Sequence, residues 1–209
     1  MKILMVASIL GMTLCGSSSS SSQEHNGIDQ YYLRAGPSFP SMPGRFYDYW
    51  QTGVSVGGGI GWKMSPTTTI SLSVDGSRFS IDEQRFLQYF KLGSGSNSIS
   101  GGATSIVMVG GNIHYFPPDE PVPLYVAGGA ALAVSSIGEV EATYSDFSAS
   151  QPSVMRASLL VTAGAGLEFA LNPKTDWFVE LRYNYAVVKS DDANSGSFPI
   201  FIGFKVWLE

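Results

Sequence analysis

A regular alternation of apolar and polar residues constrains the fold of this chain more than any other feature. Between residues 176 and 188 the apolar side chains fall on every second position: Trp177, Val179, Leu181, Tyr183, Tyr185 and Val187. Successive side chains of a β-strand point to opposite faces, so this segment predicts a strand with one apolar and one polar face. In a soluble sheet the apolar face meets a core, whereas in a membrane barrel it meets lipid.

The same pattern recurs along the chain and predicts eight strands. They cover residues 29–39, 52–63, 68–79, 103–116, 122–135, 155–171, 176–188 and 198–208. Tight turns at 64–67, 117–121 and 172–175 alternate with longer polar loops. An even strand number with alternating short and long connections is typical of outer-membrane barrels, whose short turns are periplasmic and whose long loops are extracellular. Six aromatic residues flank the tight turns and predict an interfacial girdle there: Trp62, Tyr115, Phe116, Tyr125, Phe169 and Trp177.

Composition favours the membrane interpretation over a soluble β-sandwich or a lipocalin-like barrel. Charged residues make up 14% of the chain, well below the roughly 25% of soluble domains. The polar strand faces carry mostly Gly, Ala, Ser and Thr, which suit the crowded interior of an eight-stranded barrel. The sequence therefore predicts an all-β, eight-stranded antiparallel transmembrane barrel in the bacterial outer membrane, with both termini in the periplasm. The net charge of −5 and the lack of a basic patch argue against nucleic acid as a partner.

The N-terminal segment predicts export. Lys2 precedes a short apolar run over residues 3–14, so residues 1–17 are expected to be a signal peptide. Cys15 opens an alternative, a lipoprotein signal that ends in a lipidated cysteine, although Leu14 stands where a small residue is usual. Residues 18–27 are interpreted as a serine-rich linker and residues 28–209 as the barrel.

The chain resembles the small outer-membrane barrels of the OmpA, OmpX and OmpW type over nearly all of its mature length. The segments 164–171 and 179–183 are similar to the penultimate hairpin of OmpA-like barrels. The C-terminal strand also resembles the signal that the barrel-assembly machinery reads, with Phe201, Gly203, Val206 and Leu208. It departs from that signal because its last apolar residue is a leucine rather than an aromatic residue, and because Glu209 follows.

Inward-facing charges are few and balanced. They are Arg34, Arg182, Lys205, Asp75, Glu168 and Glu180. An isolated charge inside a narrow barrel costs several kcal/mol, so these groups must pair. All except Asp75 lie on strands that are neighbours in the closed ring. We therefore predict an internal salt-bridge cluster that stabilises the barrel, similar to that of OmpA-like barrels, with a gated pore as the alternative.

Catalytic residues are not evident. Of the two histidines, His25 lies in the linker and His114 faces inward beside a periplasmic turn. A lipid A deacylase of the barrel type would need histidine and serine on the lipid side near the outer rim. No metal-ligand spacing or cofactor motif occurs. The sequence therefore predicts a protein that is not an enzyme and holds neither cofactor nor metal.

Specific function is expected in the long loops, since loops on a rigid scaffold commonly carry binding sites. The first two loops hold aromatic and arginine residues of the kind enriched at interfaces: Arg45, Phe46, Tyr47, Tyr49, Trp50, Arg85, Phe86, Tyr89 and Phe90. The leading hypothesis is a structural or partner-binding barrel. The alternatives are a narrow OmpW-like channel for small or apolar solutes and, less favoured, a lipid-modifying enzyme. Expected partners are outer-membrane lipid and lipopolysaccharide, the assembly machinery, and an extracellular or envelope protein.

Overall fold

The computed structural model describes residues 27–41, 50–85, 98–118, 122–143, 148–188 and 196–208. Within these ranges the strands are β1 (Gln30–Pro40), β2 (Gly53–Ser65), β3 (Thr68–Phe79), β4 (Ser98–Gly101), β5 (Thr104–Tyr115), β6 (Leu124–Ile137), β7 (Val140–Thr143), β8 (Ser148–Gln151), β9 (Val154–Asn172), β10 (Thr175–Val188) and β11 (Gly196–Trp207). Eight of them close into an antiparallel barrel in the order β1-β11-β10-β9-β6-β5-β3-β2. The predicted barrel is therefore confirmed.

Each predicted barrel strand corresponds to an observed one, with ends that agree within two residues. The turns Pro66–Thr67 and Pro173–Lys174 lie at one end of the barrel, which we call the turn end. The described chain also begins and finishes there, where the amide of Leu208 donates to the carbonyl of Asp29 at 2.8 Å. The opposite end, which carries the longer connections, is called the loop end. Among the described residues, no helix combines the length and the hydropathy needed to cross a membrane.

The two faces of the barrel wall differ as the alternation predicts. On β3, Leu72 and Val74 point outward and are exposed, whereas Ser71, Ser73 and Asp75 point inward and are buried. Outward apolar side chains recur on all eight barrel strands, and Leu33 on β1 is 74% exposed. A water-soluble monomer rarely exposes apolar patches beyond a few hundred Å². A continuous apolar belt around a closed barrel instead provides a lipid-contacting surface.

A small second sheet at the loop end was not predicted. It contains β4, β7 and β8 in the order β4-β7-β8 and is called the loop-end sheet. These strands lie within segments interpreted as irregular loops, residues 80–102 and 137–154. Each is only four residues long, too short for alternation to distinguish a strand from a loop.

Two members of the predicted aromatic girdle pack toward the barrel interior instead. Tyr125 points into the barrel and is 2% exposed. The ring of Phe116 lies 5.3 Å from the ring of Tyr125, so Phe116 also packs toward the interior at the turn end. Phe169 and Trp177 stack at 4.7 Å between centroids, beside the turn that joins β9 to β10. The predicted signal peptide, Cys15 and the linker up to residue 26 lie outside the described residues.

A closed barrel makes a direct prediction for gel electrophoresis. Because the hydrogen-bonded ring has no free edge around the membrane belt, we expect it to survive SDS without heating. The unheated protein should therefore migrate at a different position from the boiled protein. Identical mobility before and after boiling would contradict a closed barrel.

Candidate functional site

The centre of the barrel holds a network of buried ionised side chains. Arg34 on β1 donates from Nε to Asp75 Oδ1 at 2.8 Å and from Nη2 to Oδ2 at 2.6 Å. This two-point contact fixes both orientation and distance, as is usual for guanidinium and carboxylate groups. Nη1 of Arg34 also donates to Glu180 Oε1 at 3.3 Å. One arginine on β1 thereby connects carboxylates on β3 and β10 across the interior.

Glu180 accepts hydrogen bonds on both of its oxygens. Nε of Arg182 donates to Oε1 at 2.7 Å, and the hydroxyl of Tyr125 donates to Oε2 at 2.9 Å. The four charged members, which we call the central network, are two arginines and two carboxylates, so their formal charges cancel. Each is almost fully buried. A buried ion pair tolerates the loss of water only when its members are paired and hydrogen-bonded. Each charge here has an opposite charge beside it, although Arg182 Nη2, 2.6 Å from Glu180 Oε1, makes no hydrogen bond.

The central network continues through neutral side chains to the other wall. The hydroxyl of Thr162 donates to Asn112 Oδ1 at 2.9 Å, and Arg182 Nη1 approaches the same oxygen at 3.5 Å. Aromatic rings pack beside the charges, with the guanidinium carbon of Arg34 lying 4.6 Å from the centroid of the Phe201 ring and 5.4 Å from that of Tyr32. Charged, amide and aromatic side chains together occupy the middle of the barrel.

Inward glycines make room for these large side chains. A Cβ atom added to Gly57 would lie 2.0 Å from Asp75 Oδ1, and one added to Gly166 would lie 2.5 Å from the ring of Tyr125. Both distances are far below van der Waals contact. The small residues of the inner face are therefore required by the size of the side chains opposite them, as expected for a barrel of only eight strands.

A second ion pair lies nearer the turn end. Lys205 pairs with Glu168, and its Nζ lies 5.3 Å from the Trp207 ring and 5.5 Å from the Phe116 ring. Glu168 stands in register with Phe178 of β10, two residues closer to the turn end than Glu180. The single cluster expected from the sequence is thus divided into two layers: Arg34, Asp75, Glu180 and Arg182 form one, and Lys205 with Glu168 forms the other.

Apolar side chains close the loop end. Trp50, Phe79 and Ile81 are buried together, with Ile106, Ile137 and Val140 packed against them, and we call this group the apolar cap. Trp50 forms a β-bridge with Ile81, and the amide of Gln51 donates to the carbonyl of Ser80 at 2.9 Å. Trp50, predicted from the sequence as a candidate loop binding residue, is buried in this cap, and a binding role for it stays a prediction.

Most other loop residues singled out from the sequence fall outside the described part of the chain. These are Arg45, Phe46, Tyr47, Tyr49, Phe86, Tyr89 and Phe90. Arg85 is described and exposed, and its Nε lies 3.2 Å from Asp82 Oδ2. A binding role for the residues outside the described part stays a prediction. Arg85 is held by an ion pair within its own loop.

Between the cap and the central network an apolar cluster lies beside buried polar side chains such as Ser77 and Asn184. Met108, Ala131, Ala133, Leu160 and Ala186 form a buried cluster there. A cavity of about 20 Å³ adjoins it, bordered by Met108, Leu160 and several serine side chains. That volume holds roughly one water molecule. Sequence reasoning missed this layer, although the Ala-rich inner face of β6 was a visible sign of it.

A serine beside a histidine is the arrangement in the described part of the chain that could suggest nucleophilic chemistry. His114 Nε2 lies 3.2 Å from Ser71 Oγ, and both side chains are buried on the inner face. The imidazole packs on Tyr125 with 5.4 Å between ring centroids. Nucleophilic catalysis also needs a group that orients the base and space for a substrate. Among the described residues, no three His, Cys, Asp or Glu side chains are grouped to hold a metal.

The predicted assembly signal is divided between the two faces of β11. Phe201 and Gly203 are buried inside the barrel, whereas Val206 and Leu208 are exposed on the outside. Only Val206 and Leu208 are therefore available on the outer surface of the closed barrel. Recognition of this strand during assembly stays a prediction.

Comparison with known proteins supports the fold. No protein-family model and no curated protein matches the chain. A major outer membrane protein of Thermus thermophilus matches 87% of this chain and 100% of its own, at 11% identity and a TM-score of 0.51. Ail, the attachment invasion locus protein of Yersinia pestis, in complex with the heparin analogue sucrose octasulfate, matches 86% and 99%, at 12% identity and a TM-score of 0.50. The chain has the fold of the small eight-stranded outer-membrane β-barrels.

Proposed function

We propose that this protein is an integral outer-membrane barrel that does not conduct ions, is not an enzyme, and binds a partner through its loop end. The apolar belt would contact membrane lipid and lipopolysaccharide. The turn end would face the periplasm and the loop end the cell exterior, since short periplasmic turns and long outer loops are the rule for such barrels. The observation that carries the proposal is the central network, which occupies the middle of the barrel interior in the part of the chain that the structure describes.

The competing channel hypothesis makes a different demand on the same residues. A path for ions or small solutes would require Arg34 to leave Asp75 and Glu180, and would also require the apolar cap to open. Separating these buried charges would expose them unpaired to a narrow interior, which costs several kcal/mol. A filled interior is also what an eight-stranded barrel is expected to have. The geometry therefore favours a closed barrel.

Conductance in planar lipid bilayers tests this proposal. We expect the refolded protein to insert without producing ion-sized current steps, because buried ion pairs and the apolar cap occupy the described interior. Ala133→Val, which adds two methyl groups beside the small cavity below the cap, serves as the matched variant. Current steps that occur in the wild-type protein and are reduced in Ala133→Val would contradict the proposal and favour the channel.

Absence of catalysis is a separate part of the proposal. The buried position of Ser71 and His114 inside the turn-end half keeps both away from lipid acyl chains. Cells that express the protein should therefore contain lipid A of unchanged mass. A mass change that is lost in His114→Ala would establish a lipid-modifying enzyme instead.

The barrel-assembly machinery remains the expected partner of this protein during biogenesis.

A further inference from the structure

The loop-end sheet continues three neighbouring barrel strands beyond the rim. Thr104 of β5 pairs with Ile137 of β6, and three residues further on Gly101 of β4 pairs with Val140 of β7 in the same register. The pairing of β7 with β8 extends that of β6 with β9 in the same way, from Ile137 opposite Val154 to Val140 opposite Gln151. The loop-end sheet therefore continues the barrel wall beyond the rim in the same register.

The extension is attached firmly at the rim. The amide of Gly102 donates to the carbonyl of Glu139 at 2.8 Å, and the amide of Gly138 donates to the carbonyl of Ala103 at 2.9 Å. Val140 packs against the apolar cap. Gly101 and Gly102 have φ angles of 85° and 71°, which allow the chain to bend from β4 into β5. These contacts hold the sheet in a defined position over the mouth.

One edge of this sheet is open to strand pairing. In the described part of the chain, β8 pairs with β7 on one side and with no strand on the other. In an antiparallel pair every second residue directs its N–H and C=O away from the partner strand. Natural edges are usually protected by charges, proline or bulges. The four residues of β8, Ser148–Gln151, include no charge and no proline, and β8, unlike β4, includes no glycine.

The solvent face beside this edge is acidic. Ser100, Glu141 and Ser150 stand opposite one another across the three strands, so they share a face, and all three are exposed. Glu139 is also exposed just before β7. Residues 138–153 contain no lysine or arginine. A strand that pairs with β8 would therefore lie close to the negative charges of residues 138–153, and this segment has no positive charge that would offset them.

We propose that the outer edge of β8 binds an extended cationic peptide segment by strand addition. The backbone of β8 would supply the hydrogen bonds, and Glu141 would favour lysine or arginine on the face shared with Ser150. This inference rests on the proposed function, because it names the surface and the class of partner for binding at the loop end.

The test uses the full-length protein in detergent micelles or nanodiscs. The probe is a fluorescent eight-residue peptide of alternating lysine and valine. The control peptide has the same side chains and an N-methyl group on every residue, which removes the backbone donors of both of its edges. We expect the control peptide to bind about tenfold more weakly, because at least two backbone hydrogen bonds are lost. Equal binding of the two peptides, or no binding of the probe, would overturn the proposal.

Protein variants separate the edge from the charge. Ser150→Pro removes either a bond to β7 or an outward donor, so we expect it to weaken probe binding about tenfold in both cases. Glu141→Gln should weaken binding about two- to fivefold, and Glu83→Gln, an exposed carboxylate outside the sheet, should not change it. Unaltered binding to Ser150→Pro would overturn the proposal. A failure of the proposed function would be recognised by a separate measurement, because the same protein preparation would then conduct ions in planar lipid bilayers.

Discussion

Replacing Arg34 by methionine is expected to lower the free energy of unfolding by about 3–5 kcal/mol. Arg34 is the only described side chain that bonds both Asp75 and Glu180. Without it Asp75 loses its two-point partner and becomes a buried carboxylate with no compensating charge. Urea titration in lipid vesicles, followed by tryptophan fluorescence, measures the change.

Arg78→Met is the matched control for this substitution. Arg78 lies on β3 but points outward and is exposed, so its removal should change the free energy of unfolding by less than about 0.5 kcal/mol. Adding Asp75→Asn to Arg34→Met should recover part of the loss, because the unpaired charge is removed. Equal destabilisation by Arg34→Met and Arg78→Met would show that the central network does not stabilise the barrel.

Gly166→Ala should destabilise the barrel by about 1–3 kcal/mol through steric overlap. The new methyl group would lie 2.5 Å from the Tyr125 ring, so the ring must move, and its hydrogen bond to Glu180 would be strained or broken. The same unfolding titration measures the effect. Loss of stability should be accompanied by changed near-ultraviolet circular dichroism from the displaced tyrosine.

Gly128→Ala provides the same chemical change in an open position. Gly128 faces outward on β6, and the atom nearest to an added Cβ is 3.9 Å away, so we expect a change below about 0.5 kcal/mol. In a Tyr125→Ala background the cost of Gly166→Ala should shrink, because the ring it strikes is absent. If Gly166→Ala destabilises the barrel equally in the Tyr125→Ala background, the destabilisation arises from the backbone and not from the Tyr125 ring.

The barrel wall was predictable because its signal is local. A strand that separates lipid from a filled interior must alternate, and a shift of one residue would turn every side chain to the wrong face. The inward position of Arg34, Glu180 and Lys205 followed from this rule alone. The same rule could have placed Tyr125 inside, since it shares the parity of Ala127 on β6. It was misassigned because its position near a strand end suggested an interfacial aromatic residue.

The loop end was not predictable in the same way. Trp50, Phe79 and Val140 are far apart in the sequence, and only their contact at the loop end makes them an apolar cap. Within the loop-end sheet, the pairing of β4 with β7 similarly joins residues about forty positions apart, such as Ser100 with Glu141. Neither arrangement leaves a periodic pattern in the sequence, because the interacting residues belong to segments too short to show one.

The sequence by itself determined the number of barrel strands, their ends to within two residues and the face on which most side chains lie, because alternation depends only on neighbouring residues. Only the tertiary structure decided which inward charges meet. Arg34 reaches Asp75 and Glu180, while Lys205 and Glu168 form a pair nearer the turn end. The height of a residue inside a barrel is set by the stagger of all eight strands, which is a property of the closed ring and of no single strand.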